Sequence, residues 1–383
     1  MYKNLVRALA CTASRPLARF PRLGALARHG SALLLMAAGA ATANPAATPT
    51  PAPLKVGFVY VSPIGDAGWT FQHEQGRRAM VQALGDQVRT TVVERVAEGP
   101  DSERVMRDLA AQGHRLIFAT SFGYLEPALK VAAEFPELRI EHMGGHKTAA
   151  NVNVYNARFY EGRYLAGVTA GHLSRSGQAG YVAGFPIPEV IQGINAFTLG
   201  MRSVNPKAEV KVLWLNTWFD PAKEREAALS LLNQGVDVLT HHSGSTAIPA
   251  LAEEKGVMLM GYQSDMRHVA PTAQMTSVTH VWGEHYTRVV RSMLEGTWKV
   301  QPFWGGLKDG IIRLAPFSPK VPAAAVQDVR RRERDIAAGK LHPFGGRLVD
   351  QAGAVRQAGG TMADADIARM DWFVQGVGGT LPR

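Results

Sequence analysis

From Leu54 onward the chain alternates between short apolar runs and amphipathic stretches, and this rhythm constrains its fold more than any other feature. The run "LKVGFVYV" leads to "DSERVMRDLAAQG", where Val105, Met106, Leu109 and Ala110 share one helical face and Gly113 closes the stretch. "RLIFATS" reads as the next strand. "YLEPALKVAAEFP" then sets Leu125, Ala128, Leu129 and Ala132 at helical spacing, and "LRIEHMG" and "NVNVYNA" read as two further strands. The rhythm repeats with helix "EGRYLAGVTAGHLSRSG", strand "QAGYVAGF", helix "EVIQGINAFTLGMRSVNP" and strand "EVKVLWLNT". It continues through helix "PAKEREAALSLLNQG", strand "VDVLTHHS", helix "TAIPALAEEKG" and strand "VMLMGYQ". Apolar runs joined by helices predict parallel sheets covered on both faces by right-handed crossovers. The class is therefore α/β, and 383 residues supply strands enough for two such sheets.

Open α/β sheets bind ligands at the carboxyl ends of their strands. The informative segments are thus Tyr60 with "SPIGDAGW", "TSFGY" with Ser121 and Phe122, "GFPIP", "NTWFD", "HHSGS" with Gly244, and "GYQSD" with Gln263. A strand-to-helix turn uses the glycines of "GDAGW", and a helix start welcomes Asp66; neither has a use for Trp69. Trp69, Phe122 and Trp218 each follow a predicted strand. Singly, such rings belong to a core; together, at strand ends from both halves of the chain, they suggest a sandwich around a planar ring. Asp66, Asp220 and Asp265 are single carboxylates at predicted helix starts, where N-capping explains them.

Other chemistries lack their signatures. No G-x-G-x-x-G follows the first strand, and "GGHKT" (residues 144–148) departs from the Walker spacing because His146 separates glycine from lysine. His241 and His242 are neighbours on a strand and point to opposite faces, so they do not chelate one ion together; one packs and the other lies near the strand mouth. Neither H-E-x-x-H nor G-x-S-x-G occurs. The run "RRRERDIAAGK" mixes signs on a predicted helix and reads as a solvated face, not a nucleic-acid contact. No metal, cofactor or nucleic-acid partner is expected.

The net charge of +10 points the same way once its location is considered. Residues 1–43 carry six of the basic residues and no acidic one, so their removal leaves +4. A basic stretch, the apolar "SALLLMAAGAA" and the small-residue "ATA" at 41–43 form an export-signal pattern, with a mitochondrial presequence as the other reading. The apolar run falls short of the roughly 20 residues that span a bilayer. Cys11, the single cysteine, precedes that run, which makes it a poor lipid anchor; the mature chain then has no disulfide and no thiolate site. Residues 44–53, "NPAATPTPAP", read as an extended Pro- and Ala-rich leader. The expectation is an exported, periplasmic monomer.

These residues resemble the basic membrane protein (BMP) family of ABC-transporter substrate-binding proteins, which bind purine nucleosides or related bases. "GDAGWTFQ" is similar to the family's Asp-x-Ser-Phe-Asn turn, with Trp69 at the ring-stacking position, and "YEGRYLAGVTAG" to its Glu-Gly-x-x-Leu-x-Gly helix, beginning at Glu161. "NPKAEVKVLWLNTWFDPAKEREAA" resembles the Asn-Pro…Phe-x-Asp-Pro-x-Lys segment and puts Trp218 at the second stacking position; "GVDVLTHHSG" and "MTSVTH" match two later blocks. The likeness runs from about Leu54 to the C-terminus.

The resemblance implies a two-lobed periplasmic binding protein of type I that closes over its ligand by hinge motion and serves an ABC permease. It implies lobes at 54–177 plus about 277–305, and 178–276 plus about 306–383. It also puts Gln263 where nucleoside-binding members carry an aspartate, and His280 where they usually carry a lysine, the two positions that hold ribose hydroxyls. Tyr60 and Val61 stand in place of an Asp-Asn pair, and Glu126 in "TSFGYLEP" is a candidate base-edge carboxylate. With the ribose partners replaced, a free purine base, adenine- or hypoxanthine-like, is expected to bind better than its nucleoside; Gln263 suits an adenine-like edge. The alternative is a nucleoside held by neutral hydrogen bonds from Gln263 and His280. An exported nucleoside hydrolase or phosphorylase would need an acid or metal cluster at the strand ends. A LacI-like regulator would need a DNA-binding unit where the export pattern stands.

Overall fold

The computed structural model describes residues 52–382. The expected signal at 1–43, with Cys11, and all but the end of the leader at 44–53 lie outside the described residues.

The chain opens with strands β1 (Leu54–Val59), β2 (Val88–Val93), β3 (Leu116–Ala119), β4 (Arg139–Met143) and β5 (Val152–Ala157). Helices α1 (Trp69–Leu84), α2 (Pro100–Ala111) and α3 (Leu125–Glu134) connect the first four of them. Helix α4 (Phe159–Leu173) leads into a second series: β6 (Gln178–Ala183), α5 (Pro188–Arg202), β7 (Glu209–Trp214), α6 (Pro221–Asn233), β8 (Val238–His242), α7 (Ala247–Lys255), β9 (Met258–Gln263) and β10 (Gln274–His280). Helix α8 (Gly283–Leu294) returns to pack on α1, β11 (Phe303–Gly305) joins β5, and β12 (Ile312–Leu314) joins β10. Helix α9 (Ala323–Ala337), the hairpin β13 (Leu348–Val349) and β14 (Val355–Gln357), α10 (Asp364–Ile367) and β15 (Val377–Gly378) follow.

Two large sheets result among the described residues, as the alternation requires, beside the two-stranded β13–β14 hairpin. The first runs β11-β5-β4-β3-β1-β2 with every pairing parallel. The second runs β12-β10-β9-β8-β6-β7-β15, parallel except where β12 meets β10. Central strands are buried on both faces: all four residues of β3 and all five of β8, including His241 and His242, are buried. Helices α2 and α3 close one outer core around Met106, Ile117 and Val131, and α6 and α7 close another around Leu231, Leu239 and Leu251. The inner faces share a single continuous core that passes through Tyr155, Trp282 and Tyr286 to α4 and α5.

Helix α4 explains one of the sequence blocks. Twelve of its fifteen residues are buried, so it has no solvent face to alternate with. It lies against α5, β10 and β12, and thus goes with the second sheet. Its glycines permit that approach: a Cβ at Gly167 would stand 2.0 Å from the Phe197 carbonyl oxygen, and one on the facing Gly200 2.0 Å from that of Tyr164. The "YEGRYLAGVTAG" pattern is therefore a packing device.

Of the three aspartates expected as caps, Asp220 does cap α6, accepting from the Lys223 amide at 3.1 Å ahead of Pro221. Helix α1 instead begins at Trp69 behind Gly68, and Asp66 faces His268 at 3.3 Å. Asp265 receives Arg267 and Gln274. The charge run on α9 is laced by ion pairs, among them Arg331–Asp328 and Arg330–Glu333.

Candidate functional site

The carboxyl ends of β1, β3, β4, β6, β8 and β9 converge on one cavity of about 500 Å³, counted out to its mouth. Two walls face each other across it, one from each sheet.

The first wall is Trp69, Ser121 and Phe122, with Ser62 beside them. Trp69 is the first residue of α1, and its indole N–H donates to the Thr120 carbonyl at 2.8 Å, which fixes the ring plane. The back of the ring rests on His73 and Phe159, with centroids 4.7 and 5.8 Å away. Ser62 Oγ bonds Thr70 Oγ1 at 2.6 Å, and Ser121 Oγ donates to Glu98 Oε1 at 2.6 Å. The polar atoms of this wall are thus paired within it.

The second wall is Trp218, Glu189, His242, Gly244 and Gln263. Trp218 packs edge-to-face on Phe185 at 4.9 Å, and its loop is closed by the Gly244 amide donating to the Trp218 carbonyl at 2.9 Å. Gln263 ends β9 with φ +71°, a left-handed conformation that costs a non-glycine residue about 1–3 kcal/mol and persists only where its surroundings enforce it. The twist aims a buried amide at the cavity, where Oε1 meets no partner. His242 Nδ1 is likewise buried and unpartnered, while Nε2 stands 3.7 Å from Glu189 Oε1. Burial and the nearby Arg163 guanidinium hold His242 well below the usual imidazole range, so the ring is neutral. Burial pushes the Glu189 carboxyl up to about 8, with Asn156 and Arg163 acting the other way.

Four contacts bridge the walls. The Trp218 indole N–H donates to Glu98 Oε1 at 3.2 Å, an oxygen that also accepts from Ser121 and from the Gly123 amide at 2.9 Å. The Gly68 amide donates to Ser264 Oγ at 2.8 Å, and that hydroxyl donates to the Gly68 carbonyl at 3.2 Å. A Cβ on Gly68 would lie 2.4 Å from the Gly244 carbonyl oxygen, so the glycine of "GDAGW" is needed for the walls to meet as well as for its φ of +95°. The fourth contact is Asp66 with His268. The molecule is closed over its cavity.

Trp69, Ser121, Phe122, Trp218, Gly244 and Gln263, singled out from the sequence, all line this space. Three others do not. Tyr60 is fully buried below it, its hydroxyl on Glu74 Oε2 at 3.3 Å, because β1 turns its side chain into the core. Glu126 is on the exposed side of α3 and pairs with Lys147 at 2.5 Å. His280 sits behind Trp69, packed on Phe159 at 4.4 Å and Tyr262 at 5.1 Å. Conversely, Glu98 and Glu189 escaped the sequence reading. Among the described residues, no group of three or more His, Cys, Asp or Glu is placed to hold a metal ion, and no helix is long and apolar enough to cross a membrane.

Residues 54–341 match the Bmp family, described as ABC transporter substrate-binding protein PnrA-like. The chain belongs to this family. As a Bmp-family protein it is an ABC-transporter substrate-binding protein, with ligand capture and a permease partner as its business. It is 47% identical over 331 residues to a purine-binding protein of Brucella abortus, spanning 86% of this chain and 94% of that one. It is 38% identical over 325 residues, 85% of this chain and 80% of the other, to a Haloferax volcanii protein provisionally named as an ABC transporter glucose-binding protein. The structure of a solute-binding protein from Aeropyrum pernix K1 superposes with a TM-score of 0.66 at 19% identity, over 76% of this chain and 93% of that one, and shows the same fold.

Proposed function

We propose that this Bmp-family protein captures a purine base between Trp69 and Trp218 in the periplasm and presents it to an ABC permease. One observation carries the reading: each sheet contributes an indole to the same cavity, and both indole N–H groups are spent on protein acceptors, which leaves their faces for stacking. Base–aromatic stacking contributes roughly 1–3 kcal/mol per base. The Brucella relative's name supports a purine. A hexose, the ligand in the Haloferax relative's name, would bury many hydroxyls, each costing about 1–3 kcal/mol if unpaired. The lining side chains show only Gln263 Oε1 and His242 Nδ1 buried without partners, which suits an edge and not a ring of hydroxyls.

A free base is favoured over a nucleoside because His280, one of the two positions expected to meet ribose, lies outside the lining, while Gln263, the other, lines it. The nucleoside reading has one observation of its own: a larger space, open to solvent, adjoins the site at Phe122, Gly144 and Glu189 and carries Asn156 and Gln192. Calorimetric titration with adenine, hypoxanthine, adenosine and inosine separates them. Bases binding tighter than their nucleosides is the expected result; nucleosides binding tenfold tighter would overturn it.

The same reading includes a hinge. Chain crossings between the sheets fall near residues 157–159, 280–283 and 305–312, and we place the lobe boundaries there in preference to 177 and 277. The working form is a monomer with residues 1–43 removed; an intact mass that retains them would contradict export.

A further inference from the structure

Glu189 and His242 stand together on the second wall in a way that neither helix capping nor core packing explains. Glu189 lies in the first turn of α5, where an acid is welcome, yet its side chain is 11% exposed and reaches across to Gly144 of the first sheet. His242 is 3% exposed at the last position of β8, with Nε2 toward Glu189 and Nδ1 meeting no protein group. Both side chains line the cavity. A neutral imidazole carries one donor and one acceptor nitrogen, and which is which follows from what Nε2 meets.

We propose that Glu189 and His242 share a proton so that His242 Nδ1 faces the ligand either as an acceptor or as a donor, which lets the one site take both 6-amino and 6-oxo purines. This rests on the purine reading above. In the first arrangement Glu189 is a carboxylate, the 3.7 Å gap closes to a hydrogen bond that Nε2–H donates to it, and the Nδ1 lone pair accepts from an exocyclic amino group. In the second, the Nε2 proton has passed to Glu189, which donates it in a hydrogen bond back to Nε2, while a proton taken from solvent sits on Nδ1 and donates to an exocyclic carbonyl. The two arrangements differ by one proton, bound or released to solvent, and no other group changes. Gln263 suits this reversibility, since an amide offers both a donor and an acceptor at its tip. A site built from groups of fixed polarity would reject one of the two purines, because the mismatched ligand leaves a buried group unpaired.

The surroundings keep the pair poised. Arg163 from α4 and His280 from β10 bear on His242, with His241 beside it on β8 and Tyr262 of β9 at 4.7 Å. Arg163, Asn156 of β5, Tyr181 of β6 and Tyr262 of β9 bear on Glu189. Burial holds Glu189 protonated up to about pH 8, while His242 stays neutral throughout. At pH 7 an oxo purine thus meets the arrangement already present, whereas an amino purine must expel the proton.

The test is calorimetric titration at pH 7 in buffers of different ionisation enthalpy, which counts protons released on binding. Adenine should release close to one proton more than hypoxanthine, and its affinity should rise as pH goes from 6 to 8, by up to tenfold per unit, while that of hypoxanthine stays level. In Glu189→Gln, which keeps the shape and cannot ionise, both purines should still bind and the difference in proton count should vanish. Equal proton counts for the two purines in the native protein, or a difference that survives in Glu189→Gln, would overturn the shared proton and leave the purine reading standing. Failure of both purines to bind would remove the two together.

Discussion

The two walls of the cleft are built from the same materials and satisfied in opposite ways. On the first wall Trp69 spends its N–H on a carbonyl of its own sheet, and Ser62 and Ser121 are each paired nearby. On the second wall Trp218 reaches across to Glu98, Gln263 is twisted into a left-handed backbone, and Gln263 and His242 keep buried atoms without partners. A self-satisfied wall is a platform: it offers area and flatness to any ring. A wall with unpaired polar atoms is a reader, because only a ligand of matching pattern relieves those atoms. Under the proposed function, affinity comes from both walls and discrimination from the second.

Substitutions can break that division. The largest effect belongs to Trp218→Ala, which loses a stacking face and the bond across the cleft to Glu98; affinity should fall by about 2–4 kcal/mol, the sum of the two terms. Trp69→Ala should cost about 1–3 kcal/mol, and either ring replaced by Phe less than its alanine counterpart. A greater loss at Trp69 than at Trp218, measured by titration on proteins with native circular dichroism, would reverse the comparison.

Gln263→Gly comes next and separates binding from folding. It removes the reading amide, so affinity should drop by about 1–3 kcal/mol. It also frees a backbone that glycine adopts without strain, so denaturant unfolding should show stability unchanged or higher by up to about 1 kcal/mol. Loss of stability together with affinity would make Gln263 a structural residue.

Glu98→Gln should cost only about 1 kcal/mol, since the amide oxygen still accepts, and stopped-flow kinetics should place the change in dissociation. A changed association rate alone would mean that the contact forms before closure. Smallest of all, Asp364→Asn removes an ion pair with Arg158 that lies away from both walls, with Asp364 56% exposed. Ligand affinity should move by less than about 1 kcal/mol, less still in high salt. A larger shift would show that the segment between β5 and α4 controls closure from outside the cleft.

The sequence shows the platform more clearly than the reader. Apolar runs and helical spacing locate the strands, and the rings of Trp69, Phe122 and Trp218 stand out at strand ends because no turn requires them. Glu189 could not be separated from the ordinary acids that follow Pro at a helix start, and Glu98 could not be separated from a loop residue ahead of Gly99 and Pro100. Their roles depend on which oxygen reaches across the cleft, a property of tertiary approach with no local periodicity. Glu126 misled for the mirror reason: its neighbours Ser121 and Phe122 line the cavity, but a helical turn later the chain faces solvent and Lys147. Residues beyond 341 gave no periodic signal. They form short strands, yet Asn195 anchors them, accepting from the Val374 amide at 2.9 Å and donating to the Trp372 carbonyl at 2.8 Å.

The central claim is that two indole faces from opposite sheets enclose a purine, and tryptophan fluorescence during titration of ligand-stripped protein with adenine and with glucose tests it most directly. Saturable quenching by adenine that halves in Trp69→Phe and in Trp218→Phe, with no response to glucose, is the expected result. Saturable binding of glucose with none of adenine would contradict the claim.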